Sequence, residues 1–363
     1  MVTFDTVRSS IYIEKRKLIP KQPTTRSEIN LEDIWIRTNN NENFLCINDG
    51  NEDKILVFST LDFIRKLCYA ESVFMDGTFY TSPDLFLQLY TLHGIYKGEM
   101  IAFAYAFLPD KRHETYTRLF RSIQDYASSN GMLFQPPKFQ IDFEIATLSA
   151  IRAVFGNVIV SDCLFHYSQA HWRNVQKYKL DDDYKSDINV KRTVRMIVAL
   201  AFLPIHDIAS AWNDIVSQAP LNNPRLRSYM DYVLTTWVNQ EAKFPAHLWN
   251  HCQNYSHRTT NHLEGWHHRL KRLVGKPHPN LYEMIQFIKL EQDMFELKVN
   301  SLDAGNAPKR SAKKYIDLNN KIMRLTYHYL ADQSSTVTRV SFMKAIGFAL
   351  HLSSDDRHDN QDE

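Results

Sequence analysis

Several features that would assign the chain to a specialised class of protein are scarce or missing. Its 363 residues include only four cysteines and no C-x-x-C pair, which excludes a cysteine-rich zinc module. Glycine and proline number only 10 and 13, which excludes collagen-like and linker-rich chains. No apolar run reaches the ~18 residues of a membrane-spanning helix, and no apolar signal segment begins the sequence. We therefore expect a soluble, non-secreted protein with reduced thiols and no membrane partner.

An excess of one charge is also missing, since 43 basic residues balance 41 acidic ones. Any surface for nucleic acid must therefore come from local clusters. At roughly 100–200 residues per domain, the length indicates more than one domain. We predict a loosely ordered arm with one helix (1–70), the first part of an α/β core (71–180), an all-α insertion (181–250), the rest of the core (251–300), and C-terminal helices with an acidic tail (301–363).

The α/β core is predicted from a change of pattern along residues 72–163. Segments 72–81, 85–96 and 100–109 are rich in β-branched and aromatic residues, and turn signals separate them, which favours an antiparallel meander. After a helix at 113–128, the strand–helix–strand pattern of residues 138–163 favours parallel pairing through a right-handed crossover. The expected fold class is α/β with one mixed sheet.

Three acidic residues stand out against this background. Asp76 lies inside an apolar strand, where a charge needs a partner, although a turn begun with Gly77 is an alternative. Asp142 ends the strand before a helix, and the alternative, which its local sequence favours, is a helix N-cap. Glu264 lies on a later predicted helix, and its alternative is a surface glutamate paired with His268 or Lys271.

The helix that carries Glu264 has two predicted faces. Its apolar face is formed by Leu263, Trp266, Leu270 and Leu273, and its polar face by Asn261, Glu264, His268 and Lys271. If the apolar face packs on the sheet, the glutamate can approach the two aspartates. Clustered carboxylates are ligands for Mg²⁺ or Mn²⁺, and two such ions can support phosphodiester chemistry. Without metal, desolvation and like charge should raise the pKa of at least one of the three acids.

The segments around these acids resemble the MULE transposase domain of Mutator-like elements. The resemblance rests on FMDGTFYT, FQIDFEIATLSAIRAVF, VSDCLFHYSQAHWRNVQ and RTTNHLEGWHHRLKR, and covers residues 71–290. It implies a ribonuclease H-like fold with a catalytic, metal-binding triad of Asp76, Asp142 and Glu264, and an all-α insertion before the glutamate. The implied activity is DNA cleavage and strand transfer with two Mg²⁺ or Mn²⁺ ions. The implied partners are transposon ends and target DNA, in the nucleus.

The resemblance also assigns Cys163 and His166 to the C-x-x-H motif of the family. As zinc ligands they would need more partners, for which Cys252, His257, His262 and His267 are the candidates. We favour a core thiol and a hydrogen-bonded histidine over a zinc site.

Basic residues surround the third acid and form a predicted DNA-binding cluster. Its members are Arg258, His268, Arg269, Lys271 and Arg272. A solvated helix face explains each of them equally well. The first 70 residues lack the Cys/His array of the DNA-recognition module that complete transposases of this family usually carry. The alternative function is therefore that of a domesticated, non-catalytic DNA-binding or regulatory protein. The sequence is compatible with a homo-oligomer and does not define the number of subunits.

Overall fold

The centre of the fold is a seven-stranded mixed sheet with the strand order β1-β2-β5-β4-β3-β6-β7. The computed structural model describes residues 19–252, 254, 261–309, 313–331 and 336–350. The strands are β1 Leu45–Asp49, β2 Ile55–Phe58, β3 Val73–Thr78, β4 Gln88–Tyr96, β5 Glu99–Leu108, β6 Lys138–Ile141 and β7 Ile159–Asp162. This mixed α/β arrangement is compatible with the ribonuclease H-like fold that the resemblance implies.

The three strands predicted as a meander pair as expected. β3 pairs antiparallel with β4, and β4 pairs antiparallel with β5. β6 then pairs with β3 in parallel, after the helix at His113–Ser129. A parallel neighbour needs a crossover connection, and this helix supplies it.

The sheet is larger than predicted because residues 1–70 also contribute strands. The prediction gave this region one helix, whereas the structure has β1, β2 and a helix, α1 Leu61–Cys68. All four residues of β2 are buried, and β2 pairs antiparallel with β5. The short apolar run Ile55–Phe58 is a buried strand of the type that period-2 alternation does not reveal.

The chain folds into two units, each built from segments that are separate in sequence. The described residues up to Ile159 form the first unit together with His262–Pro308. Its helices are α1, α2 His113–Ser129, α3 Ile145–Phe155, α10 Asn261–Val274 and α11 Leu281–Asp303. Opposite faces of the sheet are covered: Tyr90 on β4 contacts Tyr116 of α2, whereas Tyr105 on β5 contacts Trp266 of α10.

The second unit combines the described parts of Val160–Asn261 and Lys309–Glu363. Its α-helices are α4 Leu164–Lys177, α5 Asp181–Ser186, α6 Ile188–Ala199, α7 Ile208–Gln218, α8 Pro224–Val233, α9 Ala246–Trp249, α12 Lys313–Ala331 and α13 Thr336–Ala349. The fully described range 181–249 contains helices and no strand. α13 joins this unit because it packs on α6 and α7. None of the described helices is long and apolar enough to cross a membrane.

Candidate active site

Asp76 is a buried carboxylate in the middle of the sheet. It is 8% exposed, and the strand continues beyond it, with Asp76 opposite Thr91 and Gly77 opposite Tyr90. The alternative of a turn begun by Asp76 and Gly77 is therefore wrong. Its Oδ1 accepts a hydrogen bond of 2.8 Å from the Gly77 backbone N–H. The backbone thus fixes one carboxylate oxygen.

Helix α10 lies over the face of β3 that carries Asp76. Leu263 packs in one cluster with Phe74, and the Nδ1 of His267 lies 3.5 Å from the Oδ2 of Asp76. Four residues of a helix rise about 6 Å, and two residues of a strand rise about 6.7 Å. Leu263 and His267 therefore match the spacing of Phe74 and Asp76. From sequence, His267 is a zinc candidate and one of the basic residues around the third acid, and neither interpretation includes its contact with Asp76.

The buried face of α10 differs from the predicted one at a single position. Leu263, Trp266 and Leu270 are buried, as expected. Leu273 is 44% exposed, and Val274 is buried in its place. The prediction of Leu273 was therefore wrong, because the helix buries the position four residues after Leu270 instead of the one three residues after it. Of the predicted polar face, His268 and Lys271 are exposed.

Asp142 directly follows β6, the parallel neighbour of β3. The register pairs Val73 with Phe139 and Phe74 with Gln140, so two further residues bring the chain to Asp76 and Asp142. Neighbouring strands lie about 4.8 Å apart. The N-cap of α3 is Glu144, which makes no side-chain capping bond. The alternative of Asp142 as the N-cap is therefore wrong.

Burial raises the pKa of Asp142, and the charge of Lys111 acts in the opposite direction. The expectation that at least one of the three acids has a raised pKa is confirmed for this residue. The expected like-charge effect acts elsewhere, on Glu144. Burial raises the pKa of Glu144 first, and the charge of Asp142 raises it further.

Glu144 is a second acid beside Asp142 to which the sequence analysis gave no role. Its Oε2 accepts a 3.0 Å hydrogen bond from the Tyr116 hydroxyl and lies 3.5 Å from the Nζ of Lys111. The Tyr116 hydroxyl in turn accepts a 2.7 Å hydrogen bond from the Gln88 side chain. A glutamate at the start of a helix is common, so the sequence gives no sign of a special role for Glu144. The network depends on Tyr116, which α2 brings beside Glu144 in the folded protein.

Gly77 is required by the packing of Gln88. A Cβ at this position would lie 2.3 Å from the Gln88 Oε1 and 3.3 Å from the Tyr90 ring. Gln88 is fully buried and bonded to Tyr116, so it has little room to move. We expect Gly77→Ala to lower the free energy of unfolding by about 1–3 kcal/mol, measured by denaturant titration.

The matched control for Gly77→Ala is Gly265→Ala on α10. A Cβ at Gly265 meets nothing within 4 Å, and the residue is exposed. Alanine is the better helix former by about 1 kcal/mol, so this variant should gain stability. Equal effects of the two substitutions would contradict the explanation by packing.

The third predicted acid lies on α10, three residues before His267. The side chain of Glu264 and the whole of Arg258 lie outside the described residues. Among the described side chains, no group of three or more His, Cys, Asp or Glu residues is arranged to hold a metal ion. The donor chemistry of Asp76 and Asp142 suits a hard divalent cation, which would also offset the cost of burying Asp142.

The remaining residues of the predicted DNA-binding cluster divide into two groups. His268, Lys271 and Arg272 are exposed, and the Nζ of Lys271 lies 4.2 Å from the centre of the Tyr80 ring. Arg269 instead makes an ion pair with Glu291, which is 1% exposed. The structure thus uses Arg269 to hold α10 against α11.

Cys163 and His166 lie in the second unit at the start of α4. Cys163 is fully buried at the N-cap position of this helix. Burial and the charge of Arg173 lower the pKa of His166 to about 4. Of the candidate partners for zinc, His257 and the side chain of His262 lie outside the described residues, and His267 contacts Asp76.

Comparison with known families identifies part of this chain. Residues 72–170 match the family model of the MULE transposase domain. The match extends from β3 into α4 and includes Asp76, Asp142, Cys163 and His166. Comparison with curated proteins gives no match. The resemblance is confirmed over this segment, and it indicates a transposase-related function.

Proposed function

We propose that the protein is the catalytic domain of a DDE-type DNA transposase that cleaves DNA and transfers the cut strand. The observation that carries the proposal is the parallel register of β3 and β6, which puts Asp76 on β3 at the level of Asp142, directly after β6. Both aspartates lie in the segment that matches the MULE transposase domain. In this proposal the fold is ribonuclease H-like and the substrate is DNA in the nucleus.

Asp76, Asp142 and Glu264 are the residues that would hold two Mg²⁺ or Mn²⁺ ions. When bound, such ions activate a nucleophile and stabilise the leaving oxygen of a phosphodiester. The Gly77 N–H holds one oxygen of Asp76, and Lys111 partly balances the negative charge around Asp142. His267 lies beside the second oxygen of Asp76 and would orient it. Glu264 directly follows Leu263, which packs in one cluster with Phe74, and this supports its inclusion in the triad.

The second candidate is a domesticated protein that binds DNA without cleaving it. It is favoured by the contact of His267 with Asp76, because a histidine there can satisfy the carboxylate without metal. The two candidates make the same prediction for DNA binding and opposite predictions for cleavage. A cleavage assay with Mg²⁺ or Mn²⁺ therefore separates them.

Glu264→Gln should abolish metal-dependent cleavage while the protein stays folded. Glutamine keeps the size of the side chain and loses the charge that holds the cation, which we expect to cost about 100-fold or more in rate. The measurement is nicking of labelled DNA in Mg²⁺ or Mn²⁺. Glu71→Gln, the same substitution at an exposed glutamate before β3, is the control. Full activity of Glu264→Gln would remove the glutamate from the triad, and inactivity of the unsubstituted protein would favour the second candidate.

A further inference from the structure

An exposed aromatic side chain lies directly beyond the candidate active site on the same chain segment. Phe79 follows β3, three residues after Asp76, and it is 43% exposed. The Nζ of Lys111 lies 4.4 Å from the centre of the Phe79 ring. The same Nζ is 3.5 Å from the carboxylate of Glu144, two residues after Asp142. The lysine therefore connects the aromatic ring to the second acidic segment.

Tyr80 repeats this arrangement with a lysine from a different element. The Nζ of Lys271 lies 4.2 Å from the centre of the Tyr80 ring. Lys271 is exposed on α10, one helical turn after His267, which contacts Asp76. The two rings directly follow β3, the strand of Asp76. Lys111 contacts Glu144, two residues after Asp142, and Lys271 lies on α10, the helix that carries Glu264.

The segment that carries the two rings is held by backbone hydrogen bonds. The Ser82 N–H donates to the Phe79 carbonyl in a tight turn, at 3.2 Å. The His278 N–H donates to the Tyr80 carbonyl at 2.9 Å, which fixes the segment to the loop between α10 and α11. Because these hydrogen bonds already order the backbone, little binding free energy is spent on ordering the protein when a ligand stacks on Phe79.

We propose that Phe79, Tyr80, Lys111 and Lys271 form a platform for single-stranded DNA beside the acids. An exposed ring accepts a base by stacking, and a lysine beside it contacts the adjacent phosphate. A base unpaired near the cleavage point would lie on Phe79, with its backbone running along Lys111 and Lys271. Lys111 and Lys271 supply the positive charge that attracts the DNA backbone, whereas the acidic residues without them would repel it. This inference rests on the proposed function for its substrate and adds the residues that bind it.

The test measures affinity for a labelled single-stranded oligonucleotide without divalent metal, so that binding is read separately from cleavage. Phe79→Ala should weaken binding by roughly 5- to 100-fold, the value of one stacked base. Phe79→Trp should retain binding because it keeps an aromatic face, and Phe79→Leu should lose it while keeping the bulk. Lys111→Ala and Lys271→Ala should each reduce the slope of log affinity against log salt by about 0.7.

The chain offers matched controls at the opposite end of the sheet. Tyr69 is an exposed aromatic residue before β3, and Lys97 lies 5.5 Å from the Tyr96 ring in the β4–β5 turn. Tyr69→Ala and Lys97→Ala should bind like the unsubstituted protein. Unchanged binding by folded Phe79→Leu, or an equal loss in the controls, would overturn the platform. Loss of binding by Phe79→Leu in a protein that cleaves no DNA would refute the proposed catalysis and support the platform.

Discussion

Asp142→Asn is expected to remove metal-dependent DNA cleavage and, at neutral pH, to stabilise the fold. Asparagine has nearly the same shape but cannot provide the anionic oxygens that a hard divalent cation requires. Loss of metal-assisted catalysis should lower the rate by about 100-fold or more. The rate is measured by nicking of labelled DNA in Mg²⁺ or Mn²⁺. Asp125→Asn, on the exposed side of α2 in the same unit, should leave it unchanged.

The gain in stability follows from the sign of the pKa shift. Burial raises the pKa of Asp142 above its ordinary value, so the folded protein binds this proton more tightly than the unfolded chain. Below the pKa that Asp142 has in the unfolded chain, its carboxyl is protonated in both the folded and the unfolded state, so burial of a charge does not lower the free energy of unfolding. As the pH rises through the raised folded pKa, the charged form is favoured in the unfolded chain and stability is lost.

Thermal unfolding as a function of pH tests this reasoning. Asp142→Asn should have a higher Tm than the unsubstituted protein at pH 7, and the difference should vanish well below the ordinary aspartate pKa of about 3.9. The substitution also removes the charge that raises the pKa of Glu144, which adds to the gain. A variant with full cleavage activity, or one less stable at pH 7, would contradict the assigned role of this buried carboxylate.

The strands that the sequence predicts well are those in which a run of β-branched and aromatic residues is also the segment buried in the sheet. β3, β4 and β5 are aromatic and β-branched runs between turn signals, and their observed bounds lie within three residues of the predicted ones. β2 was missed because four buried apolar residues in a polar region have no periodicity. The division into units was also not accessible, because α13 packs on α6 through contacts between residues far apart in sequence.

The candidate site was predictable only where a residue contradicts its local surroundings. Asp76 is an acid inside an apolar strand, and Asp142 ends another strand, so both stand out in sequence. Glu144 and His267 have ordinary local explanations, a helix start and a basic helix. The contacts of Glu144 with Tyr116 and of His267 with Asp76 arise from the tertiary packing of α2 and α10. Sequence patterns on one element cannot reveal a contact that two elements form.

Glu291→Ala is expected to lower the stability of the first unit markedly. Its carboxylate is 1% exposed, accepts a 2.6 Å hydrogen bond from the Trp266 indole, and pairs with the Arg269 guanidinium. Removing it leaves a buried indole N–H without its acceptor, which costs about 1–3 kcal/mol, while the Arg269 guanidinium is more than a third exposed and can be hydrated. Denaturant titration measures the loss.

The same substitution links stability to function, because α10 carries both Glu264 and His267. Without Glu291, α10 should loosen on the sheet, and cleavage should fall even under conditions in which the protein stays folded. Glu71→Ala, an exposed glutamate before β3, should change stability by less than about 0.5 kcal/mol. Arg269→Ala should also lower stability, and its effect should not add to that of Glu291→Ala because the two remove one ion pair. If Arg269→Ala instead weakened DNA binding at unchanged stability, the arginine would belong to the DNA surface and not to the contact between α10 and α11.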